Sequence, residues 1–167
     1  MRLLTIVSLC VFATIAVPAQ TRGPVTASKP FVVKNRQQVA DIYRELEKQE
    51  GNKQFDVAPA TENQMRVAVF HDEKRENDLF EVHDSSDDIY YVLEGEATLM
   101  LGGTLAVPNE ISPGEWRSKT ASGTQKVEIK RGDLVVVPRG TVHQRTVSGK
   151  GFSMILIKVF AETVKPQ

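Results

Sequence analysis

Histidine and carboxylate side chains are the groups in this sequence that could bind a metal ion. The chain has 3 histidines and 1 cysteine, so any metal site must combine histidine with Asp or Glu. Glu81 and His83 are two residues apart, and in a strand they would face the same side about 6.6 Å from each other. Asp88 begins the next strand-like stretch, and His143 follows a turn. Whether these residues meet depends on the elements that carry them.

Short runs of β-forming residues dominate the chain from Phe55 onward. Gly, Pro, Asn and Asp separate them, which is typical of an all-β sandwich, jelly roll or barrel. The runs are Met65–Phe70, Leu79–His83, Ile89–Leu93, Ala97–Leu101, Gln125–Ile129, Leu134–Val137, Val142–Val147 and Ser153–Phe160.

Three connections are predicted from turn-forming and charged residues. Glu94-Gly95-Glu96 indicates a tight hairpin between two strands, and residues 104–124 are rich enough in turn formers for a long loop. The charged run 72–76 reads as a solvated loop, and His71 before it is assigned no functional role.

One helix is predicted, over residues 35–50. Val39, Ile42, Tyr43 and Leu46 recur at helical spacing, and Gly51 ends the run. Before it, residues 20–34 contain prolines, a glycine and small polar residues, which is typical of a flexible arm.

Two sequence motifs resemble those of the cupin superfamily. The second cupin motif is matched at every spacing by Gly132, Pro138, Gly140 and His143, with Val147 in place of its final Asn. The first motif is matched more loosely. His83 and Gly95 fit it, Asp88 stands at its Glu position, and Glu81 and Arg75 replace its first His and its opening Gly.

The resemblance implies a small double-stranded β-helix, or jelly-roll barrel. Residues 35–167 would form one cupin domain, with the helix at 35–50 and the barrel at about 55–160. Transferred by position, the metal ligands at the barrel mouth would be Glu81, His83, Asp88 and His143. Two imidazoles with one or two carboxylates suit Fe²⁺, Mn²⁺ or Zn²⁺ and leave coordination positions open.

Several roles stay open at this point. Glu81 could ligate the metal or orient His83. Asp88 could ligate directly or through water, or act as a catalytic base. By alternation along their strands, Tyr90 and Arg145 are predicted to face the barrel interior, where they could contact a substrate. Arg145 would bind a substrate carboxylate, or pair with Glu81 or Asp88.

The first 19 residues have the pattern of a cleaved secretory signal peptide. Arg2 precedes an apolar run to Val17, which is too short for a transmembrane helix, and cleavage is expected after Ala19. The mature chain would then be a periplasmic or secreted protein and not an integral membrane protein. Basic and acidic residues number 21 each, and loss of Arg2 changes the net charge only to −1. This balance argues against nucleic-acid binding.

Three functional hypotheses follow from the resemblance. The first is a metal-dependent oxygenase or isomerase of a small organic substrate. The second is a non-enzymatic cupin that binds or senses a small molecule or a metal. The third is a structural or interaction module that uses the barrel as a dimer scaffold. The family also implies a homodimer through outward apolar residues, although these residues could equally pack against the helix. They are Phe80, Val82, Ile89, Tyr91 and Leu93.

Overall fold

The computed structural model describes residues 23, 24, 26, 27 and 29–165. The predicted signal segment therefore lies outside the described residues. The chain divides into two units, 1–31 and 32–167. The described residues of the first unit form no helix or strand.

The second unit contains one helix and twelve strands among its described residues. They are α1 Arg36–Glu47, β1 Lys53–Ala58, β2 Met65–Asp72, β3 Phe80–His83, β4 Ser86–Leu101, β5 Thr104–Leu105, β6 Asn109–Ser112, β7 Glu115–Ser118, β8 Ala121–Ser122, β9 Gln125–Lys130, β10 Leu134–Val137, β11 His143–Thr146 and β12 Phe152–Phe160. None of the helices in the described part of the chain is long and apolar enough to cross a membrane.

The helix begins at a capping box. The side chain of Asn35 accepts a hydrogen bond from the Gln38 amide, and the Gln38 side chain accepts one from the Asn35 amide. The helix ends at Glu47, three residues before the predicted end, and packs against β1 and β2 with Leu46 buried.

Two sheets share strand β4. In the first, the order is β1, β2, β12, the first half of β4, then β10; in the second, β9, the second half of β4, β11, β3, β7, then β6. The buried core draws on both, with Tyr90, Val92, Met154 and Leu156 from the first sheet and Leu99 from the second. This is the all-β jelly roll, or double-stranded β-helix, that the sequence predicts.

The predicted hairpin at Glu94-Gly95-Glu96 is wrong. These residues lie inside the continuous strand β4, which bends there and passes from one sheet to the other. Gly95 has φ +78°, and a Cβ at this position would collide with the carbonyl oxygen of Gly151. The register opposite β12 also shifts next to the bend, between Ser153 and Met154. Glycine is therefore needed because the bend brings two backbones together, not because the chain reverses.

The structure departs from two of the predicted loops, at 104–124 and at the start of the charged run 72–76. Within 104–124, β6 and β7 form a hairpin that extends the second sheet, and β5 pairs with β8. His71 and Asp72 belong to β2 and are buried. His71 Nδ1 lies 2.9 Å from Ser153 Oγ, on the strand paired with it. The predicted solvated loop at 72–76 is therefore wrong for Asp72, whereas Glu73, Lys74 and Glu76 are exposed as predicted.

Candidate metal centre

Three of the predicted ligands converge inside the barrel. Glu81 and His83 alternate onto the same face of β3, and Glu81 is directly opposite His143 on β11. One donor atom from each of Glu81, His83 and His143 lies within 4.8 Å of the other two. The two imidazole ring centroids are 5.0 Å apart.

A hydrogen bond behind each imidazole sets which nitrogen faces the site. His83 Nδ1 lies 2.7 Å from Glu115 Oε2, and His143 Nδ1 lies 3.0 Å from the carbonyl oxygen of Thr141. Because both partners accept hydrogen bonds, each Nδ1 carries a hydrogen, and Nε2 is the nitrogen left to face the site. The Nε2 atoms are the ones near the carboxylates, with His83 Nε2 3.8 Å from Glu81 Oε2. This donor set fits a divalent metal ion of the Fe²⁺, Mn²⁺ or Zn²⁺ kind.

The loop before His143 is fastened to the end of β3. The amide of Gly140 donates a 2.8 Å hydrogen bond to the carbonyl oxygen of His83, and the Thr141 amide closes a turn on Pro138. Gly140 has φ +78°, a conformation that favours glycine. This turn ties the two motif segments together, so the spacing of the second motif has a direct structural reason.

Asp88 approaches the histidines from the other sheet. Its Oδ2 lies 3.6 Å from His83 Nε2 and 3.9 Å from His143 Nε2. Its other oxygen, Oδ1, lies 3.1 Å from Lys158 Nζ, on the residue directly opposite in β12. Asp88 is not part of the group of three whose donor atoms lie mutually within 4.8 Å.

The charge state of the site follows from burial and from neighbouring charges. Burial raises the pKa of Asp88, but hydrogen bonding from His83 and the positive charge of Lys158 outweigh it and lower the pKa to about 2. Burial lowers the pKa of His143. Burial and the Asp88 charge raise the pKa of Tyr90 well above its ordinary value, so its hydroxyl keeps the proton that it donates to Asp88 Oδ2 at 3.2 Å. The centre thus offers a neutral His143 and an ionised Asp88 near pH 7.

Arg145 takes neither of the pairings expected for it within the protein. It binds the carboxylate of Asp72 through Nε and Nη2, both at 2.8 Å, instead of Glu81 or Asp88. Its guanidinium also lies 5.8 Å from the Tyr90 ring centroid. Asp72 was assigned to a solvated loop from its charged neighbours, so the sequence could not indicate this partner. Arg145 and Tyr90 both line the central cavity, as the substrate-contact hypothesis requires.

Three residues near the candidate ligands were missed in the sequence. Glu115 and Arg117 lie on β7, directly opposite His83 and Glu81, and Arg117 Nη2 is 3.0 Å from Glu81 Oε2. The alternation of charged and aromatic residues in Glu115-Trp116-Arg117 is typical of a strand. It was missed because the whole of 104–124 was predicted to be a loop. Lys158 was detectable as a lone charge within the apolar run of β12.

The candidate ligands line a cavity of about 260 Å³ between the two sheets. It draws polar groups from β3, β11 and β4, and apolar side chains including Phe70, Leu99, Met154 and Leu156. A cavity of this size has room for a small molecule beside a metal ion.

Comparison with known proteins adds similarities of fold. No protein-family model and no curated protein matches the chain. Among solved structures, it is similar to an uncharacterised conserved protein with a double-stranded β-helix domain from Klebsiella pneumoniae, at 20% identity and TM-score 0.48 over 68% of this chain and 81% of that one.

Two further structures are similar to a comparable extent. KdgF from Halomonas sp. has 17% identity and TM-score 0.48, covering 69% of this chain and 85% of that one. A cupin superfamily protein from Desulfitobacterium hafniense has 18% identity and TM-score 0.40, covering 68% and 81%. At these identities and scores, the fold assignment rests on the strand order of the chain itself.

Proposed function

Because this chain is a cupin by fold and gathers two histidines and a glutamate in its barrel, we propose that it binds one divalent metal ion through Glu81, His83 and His143. The main supporting observation is that each Nδ1 donates a hydrogen bond away from the site. His83 Nδ1 donates to Glu115, and His143 Nδ1 donates to the Thr141 carbonyl oxygen. Both Nε2 atoms therefore face the side where Glu81 lies, and each would bind the metal ion in its deprotonated form.

Asp88 is proposed as an outer carboxylate instead of a direct ligand. Its Oδ2 accepts a hydrogen bond from Tyr90, and its Oδ1 lies 3.1 Å from Lys158 Nζ without accepting a hydrogen bond. Its oxygens also lie outside the group of donor atoms that Glu81, His83 and His143 bring together. An ionised carboxylate at this position still adds negative charge next to the ion. Three protein ligands leave coordination positions open for a substrate.

The reaction class that we propose is oxygenation or isomerisation of a small organic molecule. A bound Fe²⁺, Mn²⁺ or Zn²⁺ supplies Lewis acidity and open coordination positions. The protein contributes a cavity of about 260 Å³, the orientation of both imidazoles, and an Arg117 that holds Glu81 by an ion pair of 3.0 Å. Tyr90 and Arg145 are the proposed substrate contacts.

Metal analysis of protein purified without chelators tests the proposal. We expect about one equivalent of Fe, Mn or Zn per chain by plasma mass spectrometry, and loss of this metal after dialysis against a chelator. A chain that stays metal-free when offered each ion, and binds small molecules equally well without it, would contradict the proposal.

The non-enzymatic alternative is favoured by the charge state of Asp88. A carboxylate with a pKa of about 2 is a weak proton acceptor near neutral pH, so it makes a poor general base. A cavity that only binds or senses a small molecule needs no such base. Calorimetry with any small molecule that copurifies, followed by a search for its conversion, separates binding from turnover.

Export to the periplasm or the medium remains a proposal. It is supported by the basic residue Arg2, the apolar run to Val17 and the small residue Ala19. N-terminal sequencing of protein recovered from outside the cytoplasm tests it, and an intact Met1 in that material would contradict cleavage after Ala19.

We also propose self-association through the outer face of the first sheet. The outward residues do not form one surface, because Phe80 and Val82 lie on β3 and Ile89, Tyr91 and Leu93 lie on β4. On the first sheet, Tyr91, Leu134 and Val136 are 45%, 65% and 57% exposed on neighbouring strands. Such an apolar patch is typical of an interface.

Val136→Lys should convert a dimer to a monomer, which analytical ultracentrifugation would measure. A monomeric unsubstituted protein would exclude the dimer.

A further inference from the structure

The cavity beside the candidate ligands has a strongly basic lining. Arg66, Arg75, Arg145 and Lys158 line it, whereas Glu81 and Asp88 are its acidic lining residues in the described part of the chain. The lining thus carries an excess of positive charge before any metal ion is counted. A divalent ion would increase this excess, which disfavours a cationic ligand and favours an anion.

The counter-ions of the arginines lie outside this lining. Asp56 pairs with Arg66 at 2.7 Å, and Asp72 pairs with Arg145 at 2.8 Å. Arg75 pairs with Asp78 and with Asp72. None of these three aspartates lines the cavity. These carboxylates fix the three guanidinium groups without themselves lining the cavity.

Two of the basic groups retain donors for a ligand. Arg145 is 10% exposed, and the acceptor found for its Nη1 is the sulfur of Met154 at 3.7 Å, a weak acceptor. Lys158 Nζ has three hydrogens and two neighbours, Asp88 Oδ1 at 3.1 Å and Ser86 Oγ at 3.4 Å. Tyr90 lies between Arg145 and the Asp88–Lys158 pair. Its ring centroid is 5.8 Å from the Arg145 guanidinium, and its hydroxyl donates a hydrogen bond to Asp88.

The size of the cavity limits the ligand. Its volume of about 260 Å³ corresponds to about nine water molecules at roughly 30 Å³ each. A molecule with about ten non-hydrogen atoms fits this space. Phe70, Leu99, Met154 and Leu156 give it an apolar wall suited to a short carbon skeleton.

We infer that the cavity takes a small organic acid, whose carboxylate is bound by Arg145 and Lys158 while a second oxygen faces Glu81, His83 and His143. The position of that second oxygen rests on the proposed metal function. The carboxylate contacts do not, because both cationic groups are present without a metal ion.

Calorimetry with matched acids and amides tests the inference. The probes are glycolate, lactate and succinate, each compared with its neutral amide of the same heavy-atom count, on metal-loaded and on chelator-treated protein. We expect at least one acid to bind about tenfold more tightly than its amide in both preparations. If no acid binds more tightly than its amide, the inference is overturned, even where the metal content supports the proposed function.

Two variants locate the carboxylate site. Arg145→Gln and Lys158→Gln should each remove most of the preference for the acid, whereas Arg131→Gln should not, because Arg131 is an exposed residue paired with Glu94. Since Arg145 also neutralises buried Asp72, Lys158→Gln decides the matter if Arg145→Gln fails to fold. If Lys158→Gln still prefers the acid to the amide as strongly as the unsubstituted protein does, the carboxylate is not bound at this site. A preference retained by a protein that never binds metal keeps this inference and overturns the proposed metal function.

Discussion

His83 Nδ1 and Glu115 Oε2 lie 2.7 Å apart, on residues directly opposite each other in β3 and β7. The carboxylate lies on the side of the imidazole away from Glu81 and Asp88, whose oxygens approach His83 Nε2. Arg117 connects the same strand to Glu81 and to Glu115. A hairpin outside both sequence motifs therefore orients two of the three candidate ligands.

Glu115→Gln should weaken metal binding by about 10- to 100-fold, since a carboxylate behind a ligating imidazole fixes the ring and increases its donor strength. Calorimetric titration of the metal-free protein with Mn²⁺ or Zn²⁺ measures the change. Glu128→Gln is the matched control, because Glu128 is an exposed acidic residue of β9 that pairs with Lys126. Equal affinities in Glu115→Gln and Glu128→Gln would show that Glu115 does not support the metal ion.

His83→Ala and His143→Ala should each abolish stoichiometric metal binding, because each removes one of two nitrogen donors. His71→Ala provides the control within the described residues, since His71 is equally buried but contacts Ser153 and does not line the cavity. Metal content by mass spectrometry, with circular dichroism to verify folding, gives the result. Full metal content in both His83→Ala and His143→Ala would refute the assigned site.

Asp72→Asn should destabilise the fold by about 3–5 kcal/mol, the usual cost of removing one partner of a buried ion pair. Asp72 is 1% exposed, and the substitution leaves Arg145 without its carboxylate. Chemical denaturation measures the free energy of unfolding. Asp56→Asn should cost about 1 kcal/mol or less, because Asp56 is 41% exposed. Similar losses in the two variants would mean that the buried Asp72 pair contributes no more to the free energy of unfolding than the exposed Asp56 pair.

Gly95→Ala should cost more stability than Gly102→Ala. Both glycines have positive φ, +78° and +76°, so both substitutions carry a backbone strain of about 1–2 kcal/mol. At Gly95 the added Cβ also meets the Gly151 backbone, whereas at Gly102 it meets open space. Thermal or urea unfolding of both variants compares them directly. An equal loss would indicate that the bend in β4 can relax around a side chain.

The chain carries local information that predicts much of this protein. Alternating apolar residues between turn formers predicted most of the long strands, and Leu134–Val137 was predicted to the residue. Alternation also placed Glu81 and His83 on one face, since side-chain direction in a strand depends only on position along it. The stretch from Gly132 to His143 predicted a turn before His143, but not that the turn is hydrogen-bonded to β3.

Tertiary structure decided which distant residues meet. The bend at Gly95, read from the sequence as a hairpin, sends one strand through both sheets and places Asp88 opposite Lys158. Pairing of β7 with β3 brings Glu115 to His83. Strand order and register are set by packing across the whole barrel, and a one-residue shift would turn each side chain to the other face. The partners of the candidate ligands were therefore decided by the fold, whereas the sequence alone determined the ligand types and their spacing.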